Sequence, residues 1–357
     1  MKATEKLHQI GQSIWLDHIT RGLLSSGTLG RYIEELSVTG LTSNPTIFDH
    51  AIQSGADYDQ AIAEKTREGK SGETLFFELA IEDLRQAADL FRPVHDQTQG
   101  EDGWVSLEVS PLLARDAAGT LAAAKTLCAR AGRPNLLIKI PGTPECLPAI
   151  EESIFAGVPV NVTLLFSAGQ YAAAAEAWLK GVERRIAAGL DPRIGSVASL
   201  FVSRWDVAVS GQTPESLRNR LGIAIAGQAY ATYLELLDSP RWRRAVSAGA
   251  HPQRLLWAST GTKDPGASPI LYVEALALPR TINTIPEATL TALAAHQSFG
   301  AAAPPETDQV LAEFARAGVQ TEALAARLLE EGVASFAKSW KDLLARIASK
   351  SNVFTSA

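Results

Sequence analysis

Lys139 is the residue of this chain whose type and setting carry the most definite chemical implication. It lies in the run Leu-Leu-Ile-Lys-Ile at 136–140. Because successive side chains of a strand point to opposite faces, it shares a face with Leu137 and not with the isoleucines. Burial among apolar side chains favours the neutral amine. Such an amine attacks carbonyl groups to form a Schiff base, an electron sink for making or breaking an adjacent C–C bond.

This chemistry also needs a carboxylate to move protons, and two carboxylates are candidates. Glu108 lies in Val-Ser-Leu-Glu-Val at 105–109, where it shares its parity with Ser106, and Asp17 closes an earlier apolar run. The role of each carboxylate depends on its distance to the substrate, so the sequence alone leaves the two roles open.

Further polar residues recur on the same parity of neighbouring runs. In Val-Asn-Val-Thr-Leu at 160–164, Asn161 and Thr163 alternate with the two valines and Leu164, which we expect to face outward. The other candidates at or near the ends of such runs are Asn44, Ser199, Phe201 and Ser259. Each residue alone has an ordinary explanation as a turn former or strand filler. Their recurrence over seven runs favours a shared site.

Two cationic residues follow the sixth and seventh of these runs. Arg204 stands one step beyond the sixth run, and Lys263 ends Ser-Thr-Gly-Thr-Lys at 259–263, which also contains Ser259. The last loops of a β/α barrel often bind phosphate, and arginine donates two parallel hydrogen bonds to it. We therefore expect phosphate recognition here. A solvated loop charge is the alternative explanation, more so for Lys263 than for Arg204.

The elements that must position these residues alternate between short strands and helices. Predicted strands lie at 13–19, 39–44, 103–110, 136–141, 159–166, 197–204, 255–260 and 282–285. Predicted helices lie at 72–90, 116–131, 167–188, 214–237 and 269–277, with two more within 307–348. Eight strand–helix repeats predict a closed (βα)8 TIM barrel, an α/β fold, with additional N- and C-terminal helices. An open doubly wound sheet is the alternative, but no G-x-G-x-x-G motif follows the first strand.

Nothing in the composition divides the chain into two domains. We expect a single barrel domain over 1–357, with 307–350 as a C-terminal helical appendage and Gly-Ala-Ala-Ala-Pro-Pro at 300–305 as the one loose joint. Whether the terminal helices cover the pocket or support a subunit contact is not readable from the sequence. The expected assembly is a monomer or homodimer.

Charge, hydropathy and metal-ligand spacing exclude several classes of function. The 33 Lys and Arg against 39 Asp and Glu give a formal net charge of −6, which argues against nucleic acid as a partner. The uncharged stretch 153–175 contains glycine, proline and asparagine and predicts strand, turn and helix instead of a membrane span. The first residues carry no apolar signal core, so we expect a cytoplasmic protein. The two cysteines and six scattered histidines predict no metal site.

Five segments together resemble the transaldolase family, in its longer bacterial branch. They are Gln-Ser-Ile-Trp-Leu-Asp at 12–17, Gly-Leu-Thr-Ser-Asn-Pro-Thr at 40–46, Leu-Ile-Lys-Ile-Pro at 137–141, Asn-Val-Thr-Leu-Leu-Phe-Ser at 161–167 and Ile-Asn-Thr-Ile-Pro at 282–286. The resemblance covers nearly the whole chain. It implies transfer of a dihydroxyacetone unit between sugar phosphates in the pentose phosphate pathway, with no metal or organic cofactor.

The resemblance also implies a role for each matching residue. Lys139 matches the Schiff-base lysine and Asp17 the acid/base for C–C cleavage. Glu108 matches the carboxylate that works through a bound water, which Thr163 helps to hold.

Other matching residues are implied to bind the substrate. Asn44 and Asn161 match amides that hold the dihydroxyacetone unit, and Ser199 matches a hydroxyl near its terminal oxygen. Arg204 matches the phosphate-binding arginine.

The sequence departs from the family pattern at one phosphate contact. Shorter members have a second arginine where this chain has Gly261, and Lys263 is the candidate replacement. Related fructose-6-phosphate aldolases have tyrosine in place of Phe201, so phenylalanine with Glu108 favours transfer. A class I aldolase of that kind, or a catalytically silent sugar-phosphate-binding protein, are the alternatives.

Overall fold

Eight parallel strands form a closed barrel, which confirms the predicted fold class and excludes the open sheet. The computed structural model describes residues 2–296 and 307–355. The strands are β1 (Ser13–Leu16), β2 (Val38–Leu41), β3 (Val105–Glu108), β4 (Leu136–Pro141), β5 (Val160–Leu165), β6 (Ser196–Phe201), β7 (Gln253–Ala258) and β8 (Thr281–Ile285). Each strand pairs with the next along the chain, and β8 pairs with β1 to close the ring.

Helices surround this barrel and precede and follow it. They are α1 (Ala3–Ile10), α2 (Arg21–Ser25), α3 (Thr28–Leu36), α4 (Pro45–Ser54), α5 (Asp59–Arg67), α6 (Gly72–Gln97), α7 (Ala117–Ala131), α8 (Leu147–Phe155), α9 (Ala168–Ala187), α10 (Ser203–Val209), α11 (Leu221–Asp238), α12 (Pro240–Ser247), α13 (Leu271–Ala275), α14 (Glu287–Ala295), α15 (Thr307–Arg316) and α16 (Thr321–Thr355). The prediction missed most of the short helices. Within the described residues, none of these helices is both long and apolar enough to cross a membrane.

The lower half of the barrel interior is filled by side chains of the inward parity. The buried residues that form this plug are Trp15, Leu137, Val197, Leu256 and Ile282. At the amino ends of the strands the buried Asp102 carboxylate accepts hydrogen bonds from the Ser13 hydroxyl and from the Trp15 indole. Arg254 closes the same cluster by donating to Ser13. The plug therefore leaves open only the end of the barrel where the strands finish.

Strand register brings three predicted site residues to one height. Glu108 pairs with Lys139 across β3 and β4, and Lys139 pairs with Asn161 across β4 and β5. All three lie on the same inward parity as Leu137, as the alternation predicted.

The prediction that Leu164 faces outward is wrong. The β5–β6 register shifts between Val162 and Leu165, and Leu164 has a left-handed backbone with φ +60°. This break in the pleat turns Leu164 to the inner cluster, so that Leu165 takes the outward position.

Several predicted strands run too far at their carboxyl ends. β2 stops at Leu41, so Asn44 is the N-cap of α4, and β6 stops at Phe201, so Arg204 lies in the first turn of α10. β1 stops at Leu16, just before Asp17. After β2 the extended Asn44 leads into α4, whereas after β6 only Val202, which has helical backbone angles, precedes α10. The predicted helix at 214–237 begins only at Leu221, after a 3₁₀ turn.

Two C-terminal helices are present as predicted, and α16 lies on the helices that follow β2. The Thr46 hydroxyl donates to Ser339, the Trp340 indole donates to Glu73 and Arg346 pairs with Asp49. The joint predicted at 300–305 lies outside the described residues.

Gly40 gives a direct test of how tightly the plug is packed. A Cβ at Gly40 would come within 2.5 Å of the Trp15 indole, whereas one at Gly30 in α3 would meet nothing within 4 Å. Gly40→Ala should lower the free energy of unfolding by about 1–3 kcal/mol through overpacking. Gly30→Ala should leave it unchanged or raise it by up to about 1 kcal/mol, because alanine favours helix. Urea unfolding of both variants measures this; equal stability would contradict it.

Candidate active site

A cavity of about 230 Å³ opens at the carboxyl ends of the strands. Nine of the predicted site residues line it: Asp17, Asn44, Lys139, Thr163, Ser199, Phe201, Arg204, Ser259 and Lys263. The other two, Glu108 and Asn161, are buried behind this lining and contact it through hydrogen bonds. The structure therefore brings all eleven predicted residues together around one cavity.

Lys139 is held at the cavity floor by two acceptors. Its Nζ lies 3.2 Å from Glu108 Oε2 and 3.2 Å from the Ser43 carbonyl oxygen. Lys139 and Glu108 are each only 5% exposed. Burial raises the pKa of the Glu108 carboxyl, and the nearby Lys139 ammonium opposes that rise without cancelling it. A carboxyl with a raised pKa that contacts the amine is suited to exchange protons with it.

Asp17 lies on the opposite wall and is oriented by two threonines. The Thr42 hydroxyl donates to Asp17 Oδ1 at 2.8 Å, and Thr284 Oγ1 lies 2.6 Å from Thr42 Oγ1. Burial raises the pKa of the Asp17 carboxyl, while Lys139 and the Thr42 hydrogen bond act to lower it. The backbone N–H of Asp17 donates to Ile285, so the residue is also fixed through β8.

Asn161 is fixed from both ends of its carboxamide. Its Nδ2 donates to Ser106 Oγ at 3.1 Å, and its Oδ1 accepts from Ser199 Oγ at 2.7 Å. This chain connects β3, β5 and β6 below the cavity. Two residues further along β5, the Thr163 hydroxyl is buried at the cavity wall with no hydrogen-bond partner in the described residues. A buried unpaired hydroxyl of this kind is a place for a bound water.

Asn44 is placed by its position at the start of α4. Its side chain caps that helix by accepting from the backbone N–H of Ile47 at 3.1 Å, and Pro45 follows at the first helical position. The cap fixes the carboxamide at the cavity wall. The Asn-Pro-Thr part of the motif at 40–46 is thus a helix start that positions the polar side chain of Asn44.

Two cations face the outer part of the cavity. The guanidinium of Arg204 lies 5.5 Å from the centre of the Phe201 ring and forms no ion pair with any described residue. Burial lowers its pKa, which Glu331 opposes. The ammonium of Lys263 lies 3.7 Å from the point where a Cβ at Gly261 would stand. Ser259, which lines the same cavity, has a left-handed backbone, and its Oγ lies 2.9 Å from Ser203 Oγ.

The prediction missed eight residues of the lining, three of which bear on the chemistry: Thr42, Thr284 and Phe336. Thr42 belongs to the quoted motif at 40–46, and Thr284 lies on the inward parity of β8, so both had a signal in the sequence. Phe336 of α16 had none, because a helical apolar residue carries no sign of the remote strands that it meets. Among the residues described, no group of three or more His, Cys, Asp and Glu could hold a metal ion.

The arrangement combines an amine nucleophile, two carboxylates with raised pKa values and two cations around one cavity. Comparison with known proteins gives the family of the chain. The model of the family described as "Transaldolase/Fructose-6-phosphate aldolase" matches residues 14–347. The chain belongs to that family. The resemblance seen in its motifs is therefore confirmed.

Relatives of similar length match almost end to end. A transaldolase of Thiobacillus denitrificans is 44% identical, covering 97% of this chain and all of that protein. A transaldolase of Saccharopolyspora erythraea is 45% identical over 95% of both chains, and one of Thermobifida fusca is 44% identical over 96% of this chain and 97% of its own.

The hydrogen bond from Thr42 to Asp17 predicts a measurable pH effect. This bond stabilises the charged carboxylate, so Thr42→Val should raise the pKa of Asp17 further. A base that must be ionised is then lost at a higher pH, and the acid limb of kcat/KM should move to higher pH. Thr42→Ser, which keeps the hydroxyl, should leave the limb near its original position. An unmoved limb in Thr42→Val, or a move to lower pH, would contradict this role.

Proposed function

We propose that the protein transfers a dihydroxyacetone unit from a ketose phosphate to an aldose phosphate. In the donor-to-acceptor direction, sedoheptulose 7-phosphate and glyceraldehyde 3-phosphate give erythrose 4-phosphate and fructose 6-phosphate. The observation that carries the proposal is the buried Lys139–Glu108 ion pair, whose lysine lines the same cavity as Asp17. Family membership and relatives that are named transaldolases support an enzyme over a silent binding protein. No step of the proposed reaction needs a metal or organic cofactor.

The first step is formation of the Schiff base. Lys139 attacks the C2 ketone of the donor, and the carbinolamine loses water to give an iminium. Glu108 lies within hydrogen-bond distance of the Lys139 amine and takes or returns the protons of this step. A water held by the unpaired Thr163 hydroxyl would relay the proton between Glu108 and the substrate.

The second step is cleavage of the C3–C4 bond. Asp17 takes the proton of the C4 hydroxyl, the bond breaks with its electrons passing to the iminium, and the aldose phosphate leaves. The three-carbon fragment stays on Lys139 as an enamine. The raised pKa of Asp17 brings it closer to the working pH than an ordinary aspartate, which suits a group that must give the proton back to the acceptor.

Fixed polar groups around the enamine would hold it until the acceptor arrives. Asn44, Asn161 and Ser199 are set by a helix cap and by the Ser106–Asn161–Ser199 chain before any ligand enters. Donors that are already oriented spend little free energy on rearrangement during the reaction.

The cations at the cavity mouth would bind the phosphate of donor and acceptor. Arg204 lines the cavity together with Ser259 and Lys263 and forms no ion pair with a described carboxylate, so its hydrogen-bond donors remain for an anion. Lys263 occupies the space beside Gly261 and supplies a second charge there. We also propose a cytoplasmic setting, where sugar phosphates are metabolised, and a monomer or homodimer.

Phe201 separates this proposal from the second candidate, a class I aldolase that releases free dihydroxyacetone. Phe201 lines the cavity without a polar atom. It cannot orient a water toward the enamine as a tyrosine hydroxyl would, which favours transfer.

A turnover assay with and without an acceptor tests the proposal. With fructose 6-phosphate and erythrose 4-phosphate, sedoheptulose 7-phosphate should form over many turnovers. Without an acceptor, aldose phosphate should appear only to about one equivalent per enzyme and then slowly. Lys139→Ala should lose both signals, because the nucleophile is gone. Rapid multiple turnover without acceptor would favour the aldolase, and unchanged turnover by Lys139→Ala would exclude the proposed mechanism.

Removal of the Lys263 ammonium tests the phosphate site. Lys263→Ala should raise KM for phosphorylated substrates about tenfold, the size of one lost charge-assisted hydrogen bond, with a smaller change in kcat. Cleavage of unphosphorylated fructose at high concentration should change little. Lys180→Ala, at an exposed lysine of α9, is the matched control and should behave as the parent. An equal effect on both sugars would contradict a phosphate role.

A further inference from the structure

The C-terminal helix α16 approaches the cavity mouth through a glycine. Gly332 is buried, and a Cβ placed there would lie 3.1 Å from Leu164 Cδ2 and 3.6 Å from the Phe166 ring. The backbone of α16 therefore packs directly on the end of β5. Phe336 lies one helical turn further on, so it shares this face of the helix.

The surface that receives α16 is built by a strained residue. Leu164 has φ +60°, which is uncommon and costly for a residue with a branched side chain. This conformation turns Leu164 from the outer layer to the cluster that also contains Phe166, Phe201 and Phe336. The terminal helix α16 thus packs on β5 at the point where the alternation of inward and outward side chains is broken.

Phe336 is placed over the reacting nitrogen. Its ring centre lies 5.6 Å from Lys139 Nζ and 6.4 Å from the Phe201 ring, which in turn lies 5.4 Å from Phe166. Phe336 is 5% exposed and lines the cavity. These three rings form an apolar row across the side of the mouth where the strands β5 and β6 end.

Polar contacts fix the helix that carries this ring. Beyond Phe336, Ser339, Trp340 and Arg346 bond to α4 and α6, and Lys350 pairs with Asp59 of α5. The ring is therefore anchored by groups on three other helices, of which α4 also lines the cavity through Thr46 and Ile47. The other lining of the cavity comes from the strands, their loops and the first turns of α4 and α10, so the cavity is incomplete without α16.

We infer that Phe336 determines the fate of the covalent intermediate by keeping water away from the Lys139 adduct, so that the fragment is transferred and not released. This inference rests on the proposed transaldolase reaction. In the reaction to be prevented, the enamine takes one proton at C3 to become an iminium, and water adds to C2 with loss of one proton. The carbinolamine then expels the Lys139 amine. The sum is one water consumed and one free dihydroxyacetone released.

The test is the time course of donor cleavage without acceptor in the full-length enzyme. Fructose 6-phosphate should give a burst of glyceraldehyde 3-phosphate, which counts the competent sites, followed by a slow rate set by loss of the fragment to water. Phe336→Leu, Phe336→Val and Phe336→Ala progressively shorten the side chain. We expect the slow rate per burst site to stay near the parent value for leucine and to rise about tenfold or more for alanine, because the apolar cover is lost.

Expressing the slow rate per burst site corrects for any fraction of a variant that fails to fold, and valine covers the case in which alanine does not fold at all. Leu343→Ala is the matched control: it removes a buried side chain of the same helix that packs away from Lys139. Its slow rate should equal that of the parent. An unchanged slow rate in Phe336→Val and Phe336→Ala, or an equal rise in Leu343→Ala, would overturn the inference. A parent enzyme without a burst would instead overturn the proposed function.

Discussion

A lysine amine and a glutamate carboxyl lie 3.2 Å apart inside a barrel, and the rest of the structure depends on this contact. Two buried ionisable groups lose most of their hydration, and their attraction offsets that loss only when the geometry is fixed. The register of β3 and β4 fixes it, because Glu108 and Lys139 are direct partners in the ladder. Removing either group takes away the one ion pair that the other forms with a described residue. Because the two groups are within hydrogen-bond distance, a proton can also pass directly between the amine and the carboxylate.

The barrel supports this pair from below and leaves it accessible from above. Below it, the plug around Trp15 and Leu137 has no room for a methyl group at Gly40. Above it, loops and helix starts supply polar groups that bind and orient: Asn44 as a helix cap, Arg204 in a first helical turn. α16 adds an apolar ring over the amine. The cavity thus has polar groups at Glu108 and Asp17 and an aromatic side chain, Phe336, beside Lys139. This combination suits an intermediate that must react with an aldehyde but not with water.

Much of this arrangement could be predicted from the sequence, because strand alternation is a local property. The inward parity of Glu108, Lys139 and Asn161 and the eight strand–helix repeats follow from short-range patterns. Features set by distant contacts could not be predicted. Leu164 breaks its alternation at the point where α16 packs, and Phe336 contacts Lys139, which is almost two hundred residues earlier in the chain. Strand ends were also missed, because the alternation of side chains does not show that ladder pairing stops at Leu41 and Phe201.

The central claim is that Lys139 carries the substrate covalently, and reductive trapping measures this directly. The enzyme is mixed with fructose 6-phosphate, reduced with borohydride and digested, and the modified peptide is sequenced by mass spectrometry. The account predicts a reduced three-carbon adduct on Lys139, since both Schiff-base formation and C3–C4 cleavage precede trapping. An unmodified Lys139 in folded enzyme that demonstrably binds the sugar phosphate, or an adduct on a different lysine, would contradict it.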